Sequence, residues 1–158
     1  DETLGLNFIT GEVKSAVLEF LMKDQYLAVE VKEAKSKIVA DVLEHNHMKF
    51  KIEIKSEGNV GESYGNIDLL NPKILAEIEE KATKEIEKLC REVIEKLQKE
   101  YKSDVIGIGD NLKQEHYRTW ETVKKDWDKG ENYFSQSTID IKVKFNLREI
   151  GASVETVK

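Results

Sequence analysis

Residues 72–102 read PKILAEIEEKATKEIEKLCREVIEKLQKEYK, and this stretch decides what the rest of the chain has to be. Ile74, Ile78, Ala82, Ile86, Leu89, Cys90, Val93, Leu97 and Tyr101 recur at steps of three and four, so a helix from Pro72 to Lys102 carries them in one apolar stripe. Asn71 is placed as its N-cap and Pro72 at its first helical position. At about 1.5 Å per residue such a helix is roughly 46 Å long. Glu77/Lys81, Glu80/Lys84, Glu92/Lys96 and Glu95/Lys99 stand four apart in the favourable order on its other faces. A stripe of this length needs an apolar surface to lie on, and the flanking sequence supplies strands.

Upstream, residues 1–10 predict a short helix with Leu4 and Phe8 on one face and Gly11 as its stop. Val13–Leu21 and Tyr26–Lys32 predict a hairpin turning through Met22–Gln25. A further extended piece runs over Lys37–Val42, a polar cluster spans Glu44–His47, and Lys49–Lys55 alternates with Phe50, Ile52 and Ile54 on one side. Glu57–Gly61 and Ser63–Asn66 read as loop, with Gly58 and Gly61 allowing a turn or bulge. Downstream, Leu112–Glu115 and a segment with Trp120, Val123 and Trp127 on one face predict short helices. The strand at Ser137–Arg148 alternates Ile139, Ile141, Val143, Phe145 and Leu147 without a break. Strands at both ends with helices between them give an α+β fold, a mostly antiparallel sheet covered on one face by the long helix and shorter helices. Residues 1–158 are expected to form a single domain, and because the chain opens on Asp1 it is expected to be a piece of a longer protein.

The composition narrows the function classes. With 25 Lys+Arg against 31 Asp+Glu the formal charge is −6, and no basic patch stands out along the sequence, so nucleic acid is not an expected partner. The helix 72–102 is itself balanced, eight basic residues to eight acidic ones. No apolar run approaches the roughly 18 residues of a membrane span. A single cysteine excludes an intramolecular disulfide and a Cys-rich zinc site.

Candidate chemistry is sparse. His45 and His47 form an H-x-H pair, but a third ligand is missing and His116 lies far off on a helix, so no metal is expected. Gly107 and Gly109 resemble the opening of a dinucleotide fingerprint, yet Leu112 stands where the third glycine belongs; these glycines read as letting the chain pass close to the long helix. Cys90 sits on the apolar stripe and reads as a small hydrophobe. Trp120 and Trp127 read as core rather than as an interaction surface, and Ser103 or Asp104 as a helix cap. No catalytic, cofactor-binding or metal residues are assigned; a carboxylate pair hidden among the acidic residues would be the route to a hydrolase.

Several blocks in order carry a resemblance: Gly11-Glu12-Val13-Lys14-Ser15, residues 51–62 (KIEIKSEGNVGE), residues 97–109 (LQKEYKSDVIGIG), Lys125-Asp126-Trp127-Asp128, and Ile141-Lys142-Val143-Lys144-Phe145. Together they resemble the C-terminal domain of the Ger(x)C (GerAC-like) spore germination lipoproteins, the C subunits of nutrient germinant receptors. Ile108 stands where that family commonly has an aromatic residue and Asp110 where it has Glu. The family's Arg-Arg-Thr-Gly ending is here Arg148-Glu149-Ile150-Gly151. The resemblance implies a non-enzymatic interaction and assembly module without cofactors, working beside integral-membrane A and B subunits. It also implies a place on the outer face of the inner spore membrane, through an N-terminal lipid anchor that this chain does not contain. The alternative is a small-molecule carrier in which the sheet grips the helix around an apolar cavity.

Overall fold

The computed structural model describes residues 2–44, 47–63 and 67–148. Helix α1 (Glu2–Thr10) ends at Gly11, whose φ of +73° lets the chain reverse. Strands β1 (Ala16–Met22) and β2 (Gln25–Glu44) form the expected hairpin, turning through Lys23 and Asp24, both at positive φ as a tight two-residue turn requires. Strand β3 (His47–Ser63) follows, then the long helix α2 (Pro72–Lys96), a π-turn over Leu97–Tyr101, α3 (Ile108–Glu115), α4 (Tyr117–Val123), α5 (Tyr133–Gln136) and strand β4 (Thr138–Leu147). The sheet order is β1-β2-β3-β4, with the first two pairings antiparallel and β3–β4 parallel. The α+β class with a mostly antiparallel sheet holds. The parallel pairing arises because the whole helical segment is a crossover that returns β4 alongside β3.

Two stretches differ from the sequence expectation, and one cause accounts for both. Strand β2 is continuous over 20 residues where the sequence reads two pieces, and β3 runs through Glu57–Gly61, which read as loop. The β2–β3 register shifts at Ala28/Val29, Val31/Glu33 and Ala40/Val42. Each shift is a bulge that resets which residues face the core, so strict alternation is lost while pairing continues. Gly61 is the extra residue of one bulge, between the pairs Val29↔Val60 and Ala28↔Glu62. Gly58 has another role: a Cβ there would lie 2.0 Å from the Glu30 backbone oxygen, so the two strands approach as closely as they do only because the side chain is absent.

Helix α2 lies on the inner face of the sheet with Ile74, Ile78, Ala82, Ile86, Leu89, Cys90, Val93 and Leu97 buried as expected, joined by Ile94. Tyr101 is the exception at 60% exposed, because the wider π-turn swings it off the stripe. Asn71 caps the helix, its side-chain oxygen accepting from the Lys73 N–H at 2.9 Å. The pairs Glu80–Lys84 and Glu95–Lys99 form at 3.0 and 3.1 Å, whereas Lys96 leaves Glu92 for Glu2 of α1. Helix α1 packs on α2 so tightly that a Cβ on Gly5 would meet the Leu89 carbonyl oxygen at 2.6 Å. At the far edge of the sheet, α2 also serves β4: the Thr83 hydroxyl accepts from the Phe145 N–H at 3.2 Å and the Glu79 carboxylate from the Leu147 N–H at 2.8 Å.

Gly58→Ala is expected to destabilise by about 3 kcal/mol, since backbone rather than a side chain blocks the new methyl. At Gly61 a Cβ finds the Ala28 oxygen at 3.5 Å, an ordinary contact, and Gly61→Ala should cost far less. Urea melts of the two variants check the ordering; equal losses would mean that the close approach at Gly58 is not what sets the strand spacing.

Candidate functional site

The densest polar constellation gathers around Asp104, in the segment where α2 has ended and α3 has yet to begin. Lys102 adopts a left-handed conformation (φ +51°) that ends the π-turn, and Gly107 (φ +89°) opens α3. Between them the Asp104 carboxylate accepts four hydrogen bonds: from the N–H of Gly107 (3.0 Å), of Ile108 (3.1 Å) and of Gly109 (2.6 Å), and from the Trp127 indole Nε1 (2.8 Å). Its own N–H donates to the Asp128 carboxylate at 3.2 Å. Asp104 therefore caps α3 as expected, but from three residues before Gly107, and it ties in a tryptophan from beyond α4.

The neighbouring residues fasten the same corner. The Gln98 side-chain amide donates to the carbonyl oxygens of Phe134 (2.9 Å) and Ser137 (2.8 Å), holding α5 and the start of β4 to the π-turn. The Asn132 amide donates to the Lys102 carbonyl at 3.1 Å while its oxygen caps α5 through the Ser135 N–H. Trp127, 3% exposed, meets Phe50, Trp120 and Phe134 edge-on or tilted with centroids about 6 Å apart, so the core reading of this tryptophan holds and Trp120 is half-buried beside it. Gly109 packs against Trp127, where a Cβ would lie 2.8 Å from Nε1, and Gly107 has open space around it; neither glycine brings the chain close to α2.

The remaining candidates are dispersed. His45 lies outside the described residues, His47 is exposed at the first position of β3, and His116 sits between α3 and α4; among the described residues no group of three or more His, Cys, Asp or Glu is arranged to hold a metal. The α3 N-terminus that the Gly107–Gly109 reading would give to a phosphate is filled by the Asp104 carboxylate. Cys90 is fully buried, and burial, with the Glu87 charge adding to it, pushes its thiol pKa up to about 12, which leaves no thiolate for nucleophilic chemistry. The register sets the carboxylates of Glu33 and Glu57 side by side, but Arg148 pairs with both. The hydrogen bond from Arg148 holds Glu57 below the usual carboxylate range, the opposite of what a general acid requires.

Two surface features went unseen in the sequence because only the pairing register creates them. On the outward face of the β1–β2 hairpin, Leu21 pairs directly with Tyr26, and these two and Val17 are 52–57% exposed. Further along the same face, Lys35↔Lys55↔Lys144 form one cross-strand row and Lys37↔Glu53↔Lys142 the next, five lysines and one glutamate. The sequence shows no basic patch; the sheet assembles one. Among the described residues one open surface hollow is lined by Glu33, Lys35, Lys55, Ser56, Glu57 and Asn146. No helix among the described residues is long and apolar enough to cross a membrane.

Comparison with known proteins gives a consistent result. Residues 1–151 match the family model described as spore germination B3/GerAC like, C-terminal. The chain is 28% identical over 152 residues to spore germination protein YndF of Bacillus subtilis (strain 168), covering 95% of this chain and 37% of that protein. It is likewise 28% identical over 152 residues to spore germination protein B3 of the same organism, covering 96% and 40%. The crystal structure of the GerBC protein superposes with a TM-score of 0.82 at 27% identity, over 93% of this chain and 45% of that one. The chain thus spans about two fifths of the length of the curated relatives it matches.

Asp104→Ala leaves three backbone N–H groups and an indole N–H without their acceptor, and is expected to cost about 2–3 kcal/mol, more than the roughly 1 kcal/mol of a simple N-cap. Near-UV circular dichroism of Trp127 and a urea melt read it out, and a loss under 1 kcal/mol would show that the corner does not depend on this carboxylate. For Glu57, whose folded pKa lies below the ordinary 4.5, the stabilisation is complete above that value and drains away as the pH falls toward the folded pKa. The stability difference between wild type and Glu57→Gln should therefore be constant from neutral pH down to about pH 5 and shrink below it, as followed by melts at stepped pH.

Proposed function

This chain belongs to the spore germination B3/GerAC-like C-terminal family, and from that premise we propose that it is a non-enzymatic assembly module of a germinant receptor C subunit acting in nutrient-triggered spore germination. In this reading residues 1–158 are one domain, the C-terminal part of a lipoprotein. The protein stands on the outer face of the inner spore membrane through a lipid anchor, beside the integral-membrane A and B subunits.

The observation that carries the reading is the outward face of the β1–β2 hairpin. Val17, Leu21 and Tyr26 lie exposed there although the core beneath them is complete, with Leu18, Met22, Leu27 and Val29 at 3% exposure or less. An exposed cross-strand Leu–Tyr pair suits an interface better than a solvated strand, with the aromatic residue as its anchor. The chemistry elsewhere supports a binding role: the thiol is buried, the adjacent carboxylates are held by an arginine, and the signature block around Asp104 is spent on fastening loops. The carrier alternative requires an apolar chamber between sheet and α2. Among the described residues one hollow lies instead at the surface, beside Glu92, Glu95, Lys96, Lys99 and Glu100.

The test is capture of receptor subunits from detergent-solubilised spore inner membrane, using this chain as bait and mass spectrometry as the readout. Wild type should retain A and B subunits above a heat-denatured control, and Leu21→Ser/Tyr26→Ser should lower their recovery about tenfold with little change in melting temperature. Recovery of neither subunit by the wild-type chain would sink the assembly reading.

A further inference from the structure

The lysine grid on the outward face of the sheet is a cost the fold does not need. Lys35, Lys55 and Lys144 are directly opposed on three adjacent strands, all exposed, and like charges in that position repel. In the next row Lys37 and Lys142 flank Glu53, which is itself paired with Lys51 at 3.7 Å. Among the described residues Lys37, Lys55, Lys142 and Lys144 form no ion pair, and Lys35, its side chain 79% exposed, pairs loosely with Glu33 at 3.8 Å and lends its charge to Glu57. Six neighbouring positions thus hold a net charge of +4 on a chain whose total is −6. Nothing in the described fold covers them, because α2 packs on the opposite face.

We propose that this face of the sheet lies against a bilayer surface carrying anionic phospholipid headgroups, with Lys35, Lys37, Lys55, Lys142 and Lys144 as the contacting groups. The inference deepens the reading that the protein works at a membrane, and says which way it faces. Three observations select a lipid surface over other anions. The grid is two-dimensional, with strands about 4.8 Å apart and same-face residues about 7 Å apart along each strand, which suits a plane of headgroups better than a single charged backbone. It is built of lysine, a residue depleted at protein interfaces, and contains neither the arginine nor the aromatic anchors of a protein hot spot. It also lacks the aromatic stacking platform that a nucleic acid strand uses. Flexible, hydrated ammonium groups near an anionic leaflet each add to binding in a salt-sensitive way.

The experiment is sedimentation with vesicles of phosphatidylglycerol and phosphatidylcholine, at about one to two, or of phosphatidylcholine alone, at low and high salt. The wild-type chain should bind the mixed vesicles only, and high salt should release it. The variant Lys35→Gln/Lys55→Gln/Lys144→Gln should bind roughly a hundredfold more weakly, with a melting temperature no lower than wild type because a repulsive row has been removed. The control Lys81→Gln/Lys84→Gln/Lys88→Gln makes the same charge change on the exposed side of α2 and should keep wild-type binding. Absence of binding to the mixed vesicles, equal binding to phosphatidylcholine, or equal losses in both triple variants would overturn the inference. So would capture of polyglutamate without capture of vesicles, which would point to an acidic protein segment. Because vesicles contain no companion subunits, failure here with subunit capture intact leaves the assembly reading standing, and the reverse result separates them equally well.

Discussion

The burial of one helical stripe against one face of a sheet is the interaction on which the other elements depend. Ile78, Ala82, Ile86 and Cys90 of α2 are entirely withdrawn from water, and so are Val29, Phe50 and Ile52 on the strands. Each large aliphatic side chain taken out of water contributes on the order of 1.5–3 kcal/mol, so this seam supplies most of what can oppose the entropy of ordering the chain. The other contacts adjust to it. Helix α1 comes close enough to touch the α2 backbone because Gly5 has no side chain, and β4 can join as a parallel strand because α2 offers a hydroxyl and a carboxylate to its outer N–H groups.

The long helix, the hairpin and the closing strand were legible in the sequence because each is governed by a local rule: a period of three to four, a turn between alternating runs, or unbroken alternation. Strand β3 beyond Lys55 was not legible, since the bulge at Gly61 breaks the alternation that would have marked it and Gly58 imitates a turn while serving a close approach. Tyr101 was misplaced for a similar reason: a π-turn carries no sequence period of its own. Asp104 was recognised as a cap, but its bond to Trp127 joins residues 23 apart, and no spacing rule reaches that far. The lysine rows needed registers across three strands, information absent from any one of them.

The blocks by which the chain resembles its family turn out to be unequal in kind. Gln98, Asp104, Gly109 and Trp127 are occupied with one another and with backbone groups, which makes them determinants of shape. Residues that face outward, such as Leu21, Tyr26 and Lys144, contribute little to that shape and are free to answer to whatever lies outside. A family recognised through its fastening residues can therefore share an architecture while its members present different surfaces.

The two edges of the sheet are also unlike. Along β4 the N–H groups of Phe145 and Leu147 are already committed to Thr83 and Glu79, which blocks that end of the edge, while β1 is bordered by β2 on one side only. Strand addition at the sheet is therefore less favoured at the Phe145–Leu147 end of β4 than along β1.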